Sequence, residues 1–150
     1  MLLRIIRTAL VVLGCSPLVA LSATQQEAQT LAEKATSYVE AHGLEQSRQT
    51  MHDKAGGFID GELYVFVLDF EGETLIHGGN PKLVGRNLSA MKDPSGNYFV
   101  KNMAKTAITA GTGWVKYMWK HPQTNKLTPK SSYVSRIPSM DAYVGVGVYD

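Results

Sequence analysis

The hydrophobic pattern changes period at Gly56–Gly57, from helical spacing before it to strand-like runs after it, and that change divides the chain into a helical opening and a region that forms a sheet. Before that point Ala28, Leu31, Ala32, Ala35, Tyr38 and Val39 recur at helical spacing, one narrow apolar stripe over Gln25–His42. Gly43 interrupts the stripe, and Leu44–Lys54 continues as a second, weaker helix. After the change Leu63–Leu68 is an unbroken run of strand formers, bounded by Asp60–Gly61 and Phe70–Glu71–Gly72. Thr74–His77 is its hairpin partner, closed by the breakers Gly78–Gly79–Asn80–Pro81. Pro81–Gly96 reads as irregular, with Asp93 placed to start a turn or cap a helix. Helical spacing returns from Tyr98 through Ile108 and stops at Gly111–Thr112–Gly113. Three strands follow, at Trp114–Trp119, Ser131–Ile137 and Tyr143–Tyr149. The order is that of an α+β domain around one antiparallel sheet.

The first residues stand apart from this pattern. Arg4 and Arg7 precede an apolar run from Thr8 to Leu21, and small residues lead into the polar Thr24–Glu27. That sequence of regions is a secretory signal, which divides the chain into a leader over 1–23 and one domain over 24–150. Ala20 and Ser22 also fit the small positions for cleavage after Ser22. Val12–Leu13–Gly14–Cys15 offers an alternative, a lipoprotein anchored through Cys15. A retained span is disfavoured, because the run is shorter than the ~20 residues a bilayer needs and Pro17 interrupts it. The expected location is periplasmic or secreted. Cys15 is the only cysteine, so the domain has neither disulfide nor thiolate chemistry. The net charge of +2 comes from Arg4 and Arg7; the rest carries 13 Lys+Arg against 13 Asp+Glu. Charges that balance and scatter in this way predict no basic stripe for nucleic acid and no polybasic membrane patch.

Five strings narrow the fold further. They are Phe58–Asp69; Gly72–His77 with Asn80–Pro81 and Val84–Leu88; Gly113–Trp119; Pro129–Val134; and Val144–Tyr149. In this order and spacing they resemble the single Cache domain family, type 2, from about Gln25 to the C-terminus. The resemblance implies a PAS-like Cache fold, with a long N-terminal helix packed on a five- to six-stranded antiparallel sheet. It also implies an extracytoplasmic sensor domain that binds a small metabolite, often a short-chain carboxylate, in chemotaxis or kinase signal transduction. Receptors of this family continue into a membrane helix and a signalling region. Here the sequence ends at Asp150, directly after the last strand, so the expectation is a free-standing domain that needs a membrane-bound sensor partner. The alternative is an accessory protein that docks on a sensor kinase or chemoreceptor without binding a metabolite.

A carboxylate held between sheet and crossing segment needs a cationic or hydrogen-bonding partner, since an unpaired buried charge is costly. Strand parity sets Tyr64 with Phe66, Tyr117 with Val115 and Trp119, and Lys130 with Ser132 on shared faces. A pocket on which Tyr64, His77, Tyr117, Trp119, Lys130 and Ser132 converge is the candidate ligand-binding set. Each has a plainer reading: aromatic packing for Tyr64, Tyr117 and Trp119, a hairpin cap for His77, a solvated loop lysine for Lys130. His42, His52 and His121 lie in polar surroundings and read as exposed. There is no Gly-x-Ser-x-Gly, His-Glu-x-x-His or Cys-x-x-Cys-His. Asp69, Glu71 and Glu73 read as a solvated hairpin, not a cation site, and Gly145–Val146–Gly147 has no following helix to make a dinucleotide fingerprint. No enzyme, cofactor or metal is therefore expected.

Overall fold

A computed structural model describes residues 22–150. Cys15, and the expected leader up to Leu21, lie outside the described residues. Helix α1 runs Gln25–His52 and opens on a capping box: Thr24 Oγ1 accepts from Glu27 N–H at 3.2 Å, and Glu27 Oε2 accepts from Thr24 N–H at 2.7 Å. The two expected helices are one element with a break at Gly43, whose φ of 74° is left-handed and suits glycine.

The strands are β1 (Ile59–Asp60), β2 (Leu63–Asp69), β3 (Thr74–His77), β4 (Thr112–Lys120), β5 (Leu127–Ile137) and β6 (Ala142–Tyr149). Their order is β1-β2-β6-β5-β4, with β3 also paired to β2, and every pairing is antiparallel. Two details differ from expectation. β1 is too short to show a period, and β5 starts at Leu127 because the polar Thr128–Ser131 still pairs with β4. The free edge of β4 is covered by the crossing segment, residues 78–98 between β3 and α2: Asp93 Oδ2 accepts from Met118 N–H at 3.3 Å and Asn97 Nδ2 donates to Lys116 O at 3.2 Å. Helix α2 (Phe99–Ala110) follows this segment.

Strand alternation divides the core into two layers. Val65, Val67, Val144 and Val146 face α1, which meets them with Ala28, Ala32, Ala35 and Val39, small side chains that let the helix approach closely. Tyr64, Phe66, Leu68, Tyr117 and Tyr143 face the other way, against Phe99, Val100 and Met103 of α2.

The charges are not scattered, contrary to the sequence expectation. Residues 22–73 hold ten acids and three basic residues, whereas residues 74–140 hold ten basic residues and one acid, Asp93. Nine of those ten basic residues are exposed, the exception being Lys130, and Asp93 is buried. A balanced total hid this, because the acidic segment carries α1 while the basic one carries α2, the crossing segment and the β4–β5 hairpin.

Candidate functional site

All six candidate side chains belong to the α2 side of the sheet. Lys130 is the unexpected member of the core, 1% exposed on β5. Its Nζ donates to Tyr64 Oη at 2.8 Å and lies 4.1 Å from the centre of the Tyr64 ring and 4.8 Å from that of Tyr149. It is not a solvated loop lysine. Burial holds its ammonium well below the ordinary lysine range, and the negative charge of Glu62 only partly opposes this. Room for the lysine stem comes from β6: a methyl group at Gly147 would collide with Lys130 Cε and Ser132 Oγ.

The hydroxyl chain behind Lys130 has a fixed direction. Tyr149 donates to the Lys120 carbonyl at 3.1 Å, so its oxygen accepts from Tyr64, 3.1 Å away, and Tyr64 accepts from Lys130. Tyr117 and Ser132 pair their hydroxyls at 3.0 Å one strand over. Burial raises the phenol pKa of both Tyr64 and Tyr117 well above the usual tyrosine value, with neighbouring tyrosines adding to it, so both remain neutral donors.

His77 combines its two sequence readings. Its Nδ1 accepts from Asn80 N–H at 2.9 Å and so caps the turn after β3, while its ring lines a cavity. Burial first, then the charge of Lys130, pull its pKa down to about 3. It is therefore a neutral imidazole at physiological pH, with Nδ1 engaged as acceptor and the proton on Nε2. It can donate a hydrogen bond to a ligand but supplies no charge.

The cavity lies between sheet and helix. β2 provides Phe66 and Leu68, β3 His77, β4 Tyr117 and Trp119, the crossing segment Leu88, and α2 Phe99, Val100 and Met103. Its volume is about 20 Å³, room for about one water. Outside it lies a vestibule of about 480 Å³. His77 and Trp119 border both spaces, and Tyr64, Asn80, Met91, Lys120, His121 and Leu127 line only the outer one. The six candidates thus form a connected set: three line the cavity, Lys130 backs Tyr64 and Ser132 backs Tyr117.

Sequence reasoning missed three parts of this site. Tyr149 was read only as strand, although its hydroxyl completes the Lys130–Tyr64 chain. His121 is not an exposed histidine: its Nε2 is 3.1 Å from Glu62 Oε2, both side chains are largely buried, and its ring packs on Tyr149 at 4.6 Å. His52 is half-buried and accepts from the backbone N–H of His77 at 3.2 Å. Both contacts join residues far apart in the chain, which no local pattern reports. No group of three or more His, Cys, Asp or Glu side chains able to hold a metal occurs among the described residues.

The family model for single Cache domain 2 matches residues 19–150. The chain belongs to that family. Among its relatives, the sensor histidine kinase MctS of Rhizobium johnstonii is 33% identical over 86 residues, 57% of this chain and 18% of that protein. The methyl-accepting chemotaxis protein McpP of Pseudomonas putida is 31% identical over 90 residues, 60% of this chain and 16% of that protein. The Cache chain thus spans less than a fifth of the length of these relatives. A solved Cache chemosensory domain, described for its recognition of carboxylic acid, has a TM-score of 0.70 and 25% identity, covering 83% of this chain and 91% of that one. A methyl-accepting chemotaxis protein from Vibrio parahaemolyticus shares the fold, with a TM-score of 0.72 and 19% identity over 83% of this chain and 87% of that one. Cache domains are the ligand-sensing domains of chemoreceptors and sensor kinases, and the α+β architecture described above is theirs. Among the described residues no helix is long and apolar enough to cross a membrane.

Proposed function

We propose that this Cache domain binds a small carboxylate between the sheet and α2, with Lys130 as the counter-charge, the Tyr117 and His77 side chains as hydrogen-bond donors, and Tyr64 accepting from Lys130 to hold its ammonium in place. The observation that carries the reading is Lys130 itself. A lysine 1% exposed, with a hydroxyl and aromatic faces as its described neighbours, is a costly feature in a resting core. An incoming carboxylate would supply the charge partner it lacks. The likeness to a domain described for carboxylic acid recognition supports the same class. Trp119 contributes an apolar wall, and Ser132 holds Tyr117 in place. The cavity's small volume means that a ligand enters from the vestibule as His77 and Trp119 turn aside, which limits it to a short carbon chain.

The domain is proposed to be periplasmic or secreted after loss of residues 1–23. In this reading it acts on a membrane-bound sensor partner and performs no catalysis. A thermal-shift series with acetate, propionate, lactate and pyruvate tests the ligand class. At least one of them should raise the unfolding midpoint, because a ligand of the native state stabilises it. If none does, while amines or neutral compounds do, the carboxylate reading fails.

The site also predicts a pH dependence with a definite sign. In the free domain burial keeps the Lys130 pKa low; a bound carboxylate raises it. Binding should therefore take up a proton wherever the pH lies between the two values, and affinity should fall as pH rises through that window. Calorimetry in buffers of different ionisation enthalpy reads the uptake directly. Lys130→Gln should abolish both the uptake and the slope; an unchanged slope would assign the titration to another group.

A further inference from the structure

The outer face of α2 carries a stripe that the ligand site does not use. Tyr98, Lys101, Lys105 and Ile108 follow one another at spacings of three, four and three residues, so they share one side of the helix. All four are exposed, Tyr98 by 38% and Ile108 by 50%. Lys92, from the crossing segment, reaches the same place: its Nζ and that of Lys101 each lie 4.6 Å from the centre of the Tyr98 ring. The only acid between residues 74 and 140 is the buried Asp93. The ion pairs among the described residues are Arg48–Glu45 and His121–Glu62, so none of the exposed basic groups on this half is neutralised by one. The exposed large apolar side chains of the described residues are Met91, Tyr98, Ile108 and Leu127, and all fall in this same segment.

We propose that this face docks on an anionic phospholipid surface, with Lys92, Lys101 and Lys105 against the headgroups and Tyr98 and Ile108 at the interface. The unneutralised positive charge of this face complements an anionic surface, and the kind of cation it carries distinguishes between occupants. Of the nine exposed basic residues in this half, seven are lysine and two are arginine. Protein–protein interfaces are enriched in arginine and depleted of lysine, because the guanidinium matches a carboxylate at fixed geometry. Lysine is a compact point charge suited to a diffuse negative surface with no fixed partner geometry. A tyrosine beside lysines also matches the amphipathic side chains found at membrane–water boundaries. Each lysine held near such a surface changes affinity on the order of five-fold, so three together give a factor of roughly a hundred at low salt. That attraction weakens as the screening length shortens.

Sedimentation of the full chain with two vesicle types tests this: equal parts phosphatidylglycerol and phosphatidylcholine, or phosphatidylcholine alone, both at low salt. The apolar residues 8–21 contribute to both, and Arg4 and Arg7 favour the anionic vesicles, so the part of the difference that the three lysines carry is the readout. The expected result is stronger association with the anionic vesicles, reduced on the order of a hundred-fold in K92Q/K101Q/K105Q and lowered toward neutral-vesicle values by added salt. These positions are exposed, and an unchanged unfolding midpoint shows that the variant is folded. Tyr98→Trp supplies a local readout, an emission blue shift on anionic vesicles alone. Equal binding to both vesicles, or anionic binding that survives the triple substitution, overturns the proposal. Retention on polyglutamate or on single-stranded DNA without vesicle binding also overturns it, in favour of a protein or nucleic-acid partner.

Discussion

Lys130→Met is expected to remove carboxylate binding and at the same time to raise the unfolding midpoint of the free domain. The two effects share one cause. Methionine has the length of the lysine stem and fills the space that Gly147 leaves, but it has no charge to bury. Replacing a buried charge by an apolar side chain of similar volume is commonly neutral or stabilising, here by about 1 kcal/mol or more, and each kcal/mol is worth roughly 3–5 °C in a domain of this size. Tyr64 keeps its donation to Tyr149, so no hydroxyl is stranded. The stability gain has a pH signature. The folded-state pKa of Lys130 lies below its unfolded value, so the unfolded wild-type chain binds more protons between the two and its stability rises with pH there. The advantage of methionine should shrink as pH rises toward the ordinary lysine pKa, and should be largest below the depressed folded-state value. Ligand affinity should fall by about 2–5 kcal/mol, the usual cost of truncating one partner of a buried charge pair. Titration calorimetry and thermal unfolding against pH read both. A variant that binds as before would remove Lys130 from the site; one that is less stable at every pH would show that the ammonium's contacts with Tyr64 and Tyr149 outweigh its desolvation.

The ligand-side layer was legible in the sequence where alternation carried it. Lys130, Ser132 and Val134 share a parity on β5, as do Tyr64, Phe66 and Leu68 on β2, and the observed register sets both rows on the α2 side. The depth of Lys130 was not legible, because burial depends on what lies across the sheet. Its neighbour there is the unsubstituted backbone of Gly147, and glycine in a strand reads locally as a weak position. Glu62–His121 and Tyr64–Tyr149 were hidden for a related reason: each joins strand ends that are close only after the sheet has formed, 59 and 85 residues apart in the chain. The charge division was present in the sequence, but net charge is a sum and cannot report it.

Gly145 is crowded as closely as Gly147, here by the Phe66 ring. On β6 the side chains facing α2 read Tyr143, Gly145, Gly147 and Tyr149, so two tyrosines flank a gap two glycines long. Gly145 pairs directly with Phe66 on β2, and a methyl group there would fall inside the Phe66 ring. Phe66 lines the cavity, so the ring's escape route is toward the ligand site. Gly145→Ala should therefore cost about 1–3 kcal/mol by overpacking and weaken ligand binding by narrowing a space of about 20 Å³. Gly147→Ala should divide its effect differently. Its methyl group meets the far end of the Lys130 stem, the Ser132 hydroxyl and the Ser131 carbonyl. The lysine stem can swing aside, so the part of the cost that it bears should appear more in ligand affinity than in stability. Phe66→Leu in the Gly145→Ala background should recover part of the lost stability, since it removes the colliding ring atoms; the paired substitution would then be less destabilised than the sum of its parts. Chemical denaturation of the single and paired variants gives that coupling. Strict additivity would mean that Gly145 and Phe66 do not meet as described, and the glycine gap would then have some other origin than making room for the ligand-side aromatics.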